Sequence, residues 1–97
     1  MTISNNIVTI VNAIDYICQK KHPKDNLILD TIYIDDIYLV LNFKLQSNRY
    51  RKRFLIESIN NVKHDNSCEN YEYFYKFAER LHRKIKDYFL YGDGDID

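Results

Sequence analysis

Ninety-seven residues, with 14 basic and 14 acidic side chains and 29% charged positions, describe one small domain without a net field. A chain of this length builds one hydrophobic core but rarely a deep, well-walled catalytic cleft as well, and zero net charge excludes a global attraction to nucleic acid or an anionic membrane. Any such partner has to be met by a local patch.

The first element predicted is a helix. From Ser4, a suitable N-cap, the apolar residues Ile7, Ile10, Val11, Ile14, Ile17 and Cys18 recur at spacings of three and four, and Pro23 ends the segment. Its isoleucines and valines are mediocre helix formers, so packing has to hold it. The run Leu27 to Ile34 is β-branched and aromatic and reads as a strand, with Asp35-Asp36 as the tight connection that follows. A second strand places Ile37, Leu39, Leu41, Phe43 and Leu45 on one face and Asp36, Tyr38, Asn42 and Lys44 on the other, with Val40 as an apolar intruder.

"QSNR" marks the next turn, and "RYRKRFLIE" reads as a third strand with Tyr50, Lys52, Phe54 and Ile56 inward and Arg51, Arg53, Leu55 and Glu57 outward. A polar connector, "NNVKHDNS", leads to a second helix that Asn66 or Ser67 can cap, with Glu69 as the capping-box carboxylate and Gly92 and Gly94 at its close. Its core arc is Tyr71, Phe74, Phe77, Ala78, Leu81, Ile85, Tyr88 and Phe89. Glu72 and Glu79 stand four residues before Lys76 and Arg83, the favourable order for helix ion pairs. The expected fold is therefore α+β, a single domain over residues 1–92 in the order α-β-β-β-α, with one helix-covered sheet face and one solvated face. Residues 93–97, "DGDID", form a short acidic tail.

No apolar run is long enough to cross a bilayer, the amino terminus lacks the pattern of a secretory signal, and the two cysteines do not make a disulfide framework. A cytoplasmic protein is expected, in the cytoplasm of a host cell if the source is viral. Abundant Asn, Ile, Lys, Tyr and Asp, with Ala only at 13 and 78 and no Trp, fit an AT-rich coding sequence. That usage is common among accessory genes of phages, other viruses and mobile elements.

Candidate chemistry is sparse. Asp35 and Asp36 are adjacent, which sends strand side chains to opposite faces, and turn formation explains both. His82 reads as a boundary histidine, and Asp93, Asp95 and Asp97 end before a calcium loop could be completed. Cys18 and His22, with His64 and Cys68, are two pairs at helix ends that could converge on zinc, but Cys18 fits the apolar face of the first helix and no CxxC knuckle is present. No catalytic residue, metal or cofactor is assigned.

Binding surfaces are better represented. On the second helix Tyr73, Arg80, Lys84 and Tyr91 share one edge of the core arc, with Tyr75 on the other, and Tyr/Arg edges are what protein interfaces enrich. Arg51 and Arg53 with Tyr38 and Asp36 extend the partner-binding set onto the exposed sheet. The first functional expectation is a protein-binding module without catalysis that docks on a host protein or ribonucleoprotein complex. In size, α/β layout and lack of motifs it looks like small phage inhibitors, including anti-CRISPR proteins, with no residue signature that assigns a family. The alternative is an RNA- or DNA-binding protein using Arg49, Arg51, Lys52 and Arg53 with Lys76, Arg80, Arg83 and Lys84. The order helix, three strands, helix also occurs in double-stranded RNA-binding domains, a likeness of topology only. A homodimer through an exposed sheet edge is the remaining partner considered.

Overall fold

Ser4 begins the fold as expected: its backbone is extended, and its hydroxyl oxygen accepts from the Ile7 amide at 3.2 Å. The structure, a computed structural model, describes residues 4–62 and 67–91, with side chains over 4–62 and 71–91. Helix α1 runs Asn5–Tyr16 and passes into a π-helical turn, Ile17–Lys21, closed by a bond from the His22 amide to the Ile17 carbonyl. Pro23 then opens a 3-10 turn, Pro23–Asp25, where its missing N–H is not needed.

Three antiparallel strands follow in the order β1 (Leu27–Asp35), β2 (Tyr38–Leu45), β3 (Asn48–Leu55). Each connection has two residues, and each bends at a positive φ on its first position, Asp36 at 57° and Gln46 at 58°. The first turn thus lies at Asp36-Ile37, one residue later than the predicted Asp35-Asp36, and Ile37 belongs to the turn instead of the inner face of β2. Glutamine gains nothing from the left-handed region. Gln46→Gly is therefore expected to raise stability by about 1 kcal/mol, read as a shift of the urea midpoint at unchanged slope.

The inner face carries Leu39, Leu41 and Phe43, all buried, against α1 residues Ile7, Ile10, Ala13 and Ile14 and the following Ile17 and Cys18. In β1 the register slips between Leu29 and Thr31, leaving Asp30 as a bulge. The extra residue lets Leu27 and Leu29 share the inner face with Ile32 and Ile34, which strict alternation would not allow. Val40 lies on the outer face yet is 1% exposed, flanked in register by Tyr33 and Arg53. The predicted intruder is covered by its neighbours.

β3 stops at Leu55, shorter than predicted. The chain turns there into a short helix, α2 (Ile56–Asn60), which buries Ile56 and Ile59. Its end is tied to α1 by Asn6, whose side-chain amide donates to the carbonyls of Ile59 and Val62, and by the Ser4 hydroxyl on the Asn60 side chain. The last helix, α3 (Ser67–Tyr91), buries Phe74, Ala78, Leu81 and Ile85. Tyr71 and Tyr88, predicted in the core arc, are exposed, and His82, predicted at the boundary, is buried. Tyr71 stacks on Tyr75 of the same helix at 6.1 Å and Tyr88 meets Tyr50 of β3 at 5.7 Å, rim contacts that leave both rings exposed. The predicted caps at Asn66, Gly92 and Gly94, the Glu69 side chain and the 93–97 tail lie outside the described residues.

Candidate binding site

The seam between β3 and α3 brings together residues that alternation and helix phase hold on facing surfaces. Lys52 and Phe54 point inward from β3, because Leu41 and Leu39, their partners across the ladder, face the core. Phe77, Arg80, Leu81 and Lys84, at positions i, i+3, i+4 and i+7 of one face of α3, come opposite. Together these six residues line a cleft of about 250 Å³. None of the side chains lining it is acidic. Lys52 Nζ stands 5.6 Å from the Phe54 ring centroid, within cation–π range.

Phe54 and Phe77 meet edge to face at 5.5 Å and also belong to a second hollow, of about 140 Å³, completed by Ile10, Leu55, Ser58, Ile59, Val62, Tyr73 and Phe74. The two hollows share the aromatic pair as a common wall. One end is apolar with a tyrosine at its rim and the other is cationic. Arg80 and Lys84 make no ion pair among the described residues and are exposed, so their charge is available to an incoming group.

The other predicted residues are dispersed. Arg51 and Arg53 lie on the outer sheet face, with Arg51 Nε donating to the Asn42 side-chain oxygen at 3.2 Å and the Arg53 guanidinium 4.7 Å above the Tyr38 ring. Arg49 pairs with Asp30 at 3.3 Å. Asp36 sits in the first turn, and Tyr91 is 72% exposed at the end of α3. Lys76 and Arg83 are exposed on α3. Of the partner-binding set, Tyr73, Arg80 and Lys84 converge; of the nucleic-acid set, Lys52, Arg80 and Lys84 do. Lys52 and the Phe54–Phe77 wall complete the seam, and the spacing of Phe77, Arg80, Leu81 and Lys84 was the available signal for its helical side.

Glu79 does not pair with Arg83 as its spacing suggests. It turns instead to Lys21 and to His22 Nε2, 3.3 Å away, and the lysine contact is the main reason its carboxyl is held below the ordinary carboxylate range. His22 stacks on His82 at 4.9 Å, and Asp25 bridges toward Lys86 at 3.1 Å. His82 is 5% exposed, its Nε2 has no hydrogen-bond partner, and Asp25 Oδ2 lies 3.7 Å away, beyond hydrogen-bond reach. Burial chiefly, and then the charge of His22, depress its pKa below 6.5.

This cluster locks the 21–25 segment onto α3 and makes stability depend on pH. The unfolded chain binds the His82 proton near 6.5 while the folded chain resists it. The stabilisation is complete above 6.5 and is lost as pH falls below it through the depressed folded value. The thermal midpoint is expected to drop across that interval, and His82→Phe to flatten the drop, measured by circular dichroism melts at a series of pH values.

Cys18 is buried, and its thiol is pushed up to about 12 by burial and by Asp15, so the free thiol stays protonated at neutral pH. Among the described residues no group of three His, Cys, Asp or Glu side chains is placed to hold a metal ion. His64 and the Cys68 side chain, the other half of the zinc reading, lie outside the described ones.

The chain matches no protein-family model, no curated protein and no solved structure. No helix among the described residues is long and apolar enough to cross a membrane.

Proposed function

We propose that the protein is a binding module without chemistry of its own, and that the β3–α3 seam takes an acidic, partly apolar segment of a partner protein. The observation that carries this reading is the shared Phe54–Phe77 wall, with Tyr73 and the apolar hollow on one side and Lys52, Arg80 and Lys84 on the other. Such a site accepts an apolar side chain and a carboxylate from one short stretch, and tyrosine and arginine are the residues on which interface energy concentrates. A module of this kind acts by occupying its partner's surface. Inhibition of a host enzyme or defence complex by a phage- or mobile-element-encoded protein is the finer proposal, supported by the small size and the residue usage.

A second reading has one observation in its favour: three cations beside two aromatic rings also suit a phosphate and a stacked base. The remaining arginines of β3 face the opposite side of the sheet, which divides the field a nucleic acid would track. Affinity capture of the tagged protein from a bacterial lysate, with and without nuclease and at two salt concentrations, separates the readings. Retention of one protein through nuclease and moderate salt is expected; retained nucleic acid that leaves with salt would overturn the protein reading.

A further inference from the structure

The two edges of the sheet are protected unequally. β3 carries Arg49, Arg51, Lys52 and Arg53, which discourage pairing with another strand, whereas β1 contains no lysine, arginine or proline. Its protective devices are the bulge and carboxylate at Asp30, near the middle, and the Asp35 carboxylate at its end, and the five residues beyond the bulge, Thr31 to Asp35, run in regular register. Among the described residues nothing pairs with their outer side. Ile32, Tyr33 and Ile34 on this stretch are 43%, 41% and 36% exposed, and Val8 of α1, 48% exposed, stands beside them. With Ile7, Val11, Asn12 and Leu39 they line an apolar groove of about 400 Å³ between α1 and β1.

We infer that this groove and edge form a dimer interface that takes a second copy of the same chain. The occupant has to supply two things at once, a strand for the β1 backbone and an apolar surface above it for Val8 and Val11. An isolated extended peptide supplies only the first. A second copy supplies both, since a two-fold axis through Tyr33 sets the two β1 strands antiparallel and brings their α1 helices together over the joined edge. In that register Ile32 faces Ile34 on the inner side, and Thr31 faces Asp35 on the outer side, where a hydroxyl donates to a carboxylate. No two carboxylates oppose each other within the paired stretch, and the chain's zero net charge imposes no overall repulsion. The product is a continuous six-stranded sheet whose outer strands are the cationic β3 of each copy, an arrangement that closes on itself and leaves both seams free.

Sedimentation of the full chain over a wide concentration range tests this, together with Val8→Lys and Ile34→Lys. Val8 is an exposed helix residue, so its variant keeps the fold, and circular dichroism checks both. The wild type is expected to form a dimer, and each lysine to weaken it roughly tenfold or more by placing like charges at the axis. Hydrogen exchange of the Thr31 to Asp35 amides is expected to slow as concentration rises. A wild type that stays monomeric throughout, or a dimer that survives both substitutions, overturns the inference. Arg80→Glu, which lies in the seam, is expected to leave the dimer intact.

Discussion

Phe43→Ala is expected to cost about 3–5 kcal/mol and to leave the chain largely unfolded at physiological temperature. Phe43 is 1% exposed on the central strand, facing Leu29 on one neighbour and Tyr50 on the other, with the helices above. Removing the ring leaves a cavity that a three-stranded sheet cannot close by local collapse, because both flanking strands are hydrogen-bonded to β2 on that side. Chemical denaturation followed by circular dichroism gives the loss directly. Phe43→Leu, which keeps most of the volume, is expected to lose about half as much or less.

The second large effect concerns the seam. Arg80→Glu combined with Lys84→Glu is expected to weaken partner binding by about 3 kcal/mol or more, beyond a hundredfold, because reversal both removes two cations and repels the carboxylates they would receive. Both residues are exposed on α3 and neither pairs with an acidic group among the described residues, so the fold is expected to survive with a change within about 0.5 kcal/mol. Calorimetric titration with the captured partner reads the first quantity and thermal melting the second. Equal binding by the double variant would remove the seam from consideration.

The architecture was legible where a pattern is local. The alternation of Leu39, Leu41 and Phe43 and the Ser4 cap needed no tertiary information. The bulge at Asp30 was not legible, because a β-branched run tolerates one extra residue without losing its apolar character. Alternation alone overextends β3, because Ile56 continues it, although Ile56 and Ile59, three apart, carry the helical signal of α2. His82 is buried by partners from a distant segment, His22 and Asp25, which no helix phase discloses. The same holds for the seam: Arg80 and Lys84 were identifiable as a pair, but Phe54 and Phe77 read as ordinary core, and only the packing of α3 against an edge strand leaves them partly open.

The buried thiol of Cys18 makes the molecule its own stopwatch. With its pKa near 12 and its sulfur enclosed where α1 gives way to the π-helical turn, it stays silent toward thiol reagents for as long as α1, α3 and the sheet remain together. Once Cys68 is replaced by serine, the rate of labelling at Cys18 counts the openings, local or global, that uncover this part of the core under native conditions. It would register, without an introduced cysteine, how much a bound partner slows those openings.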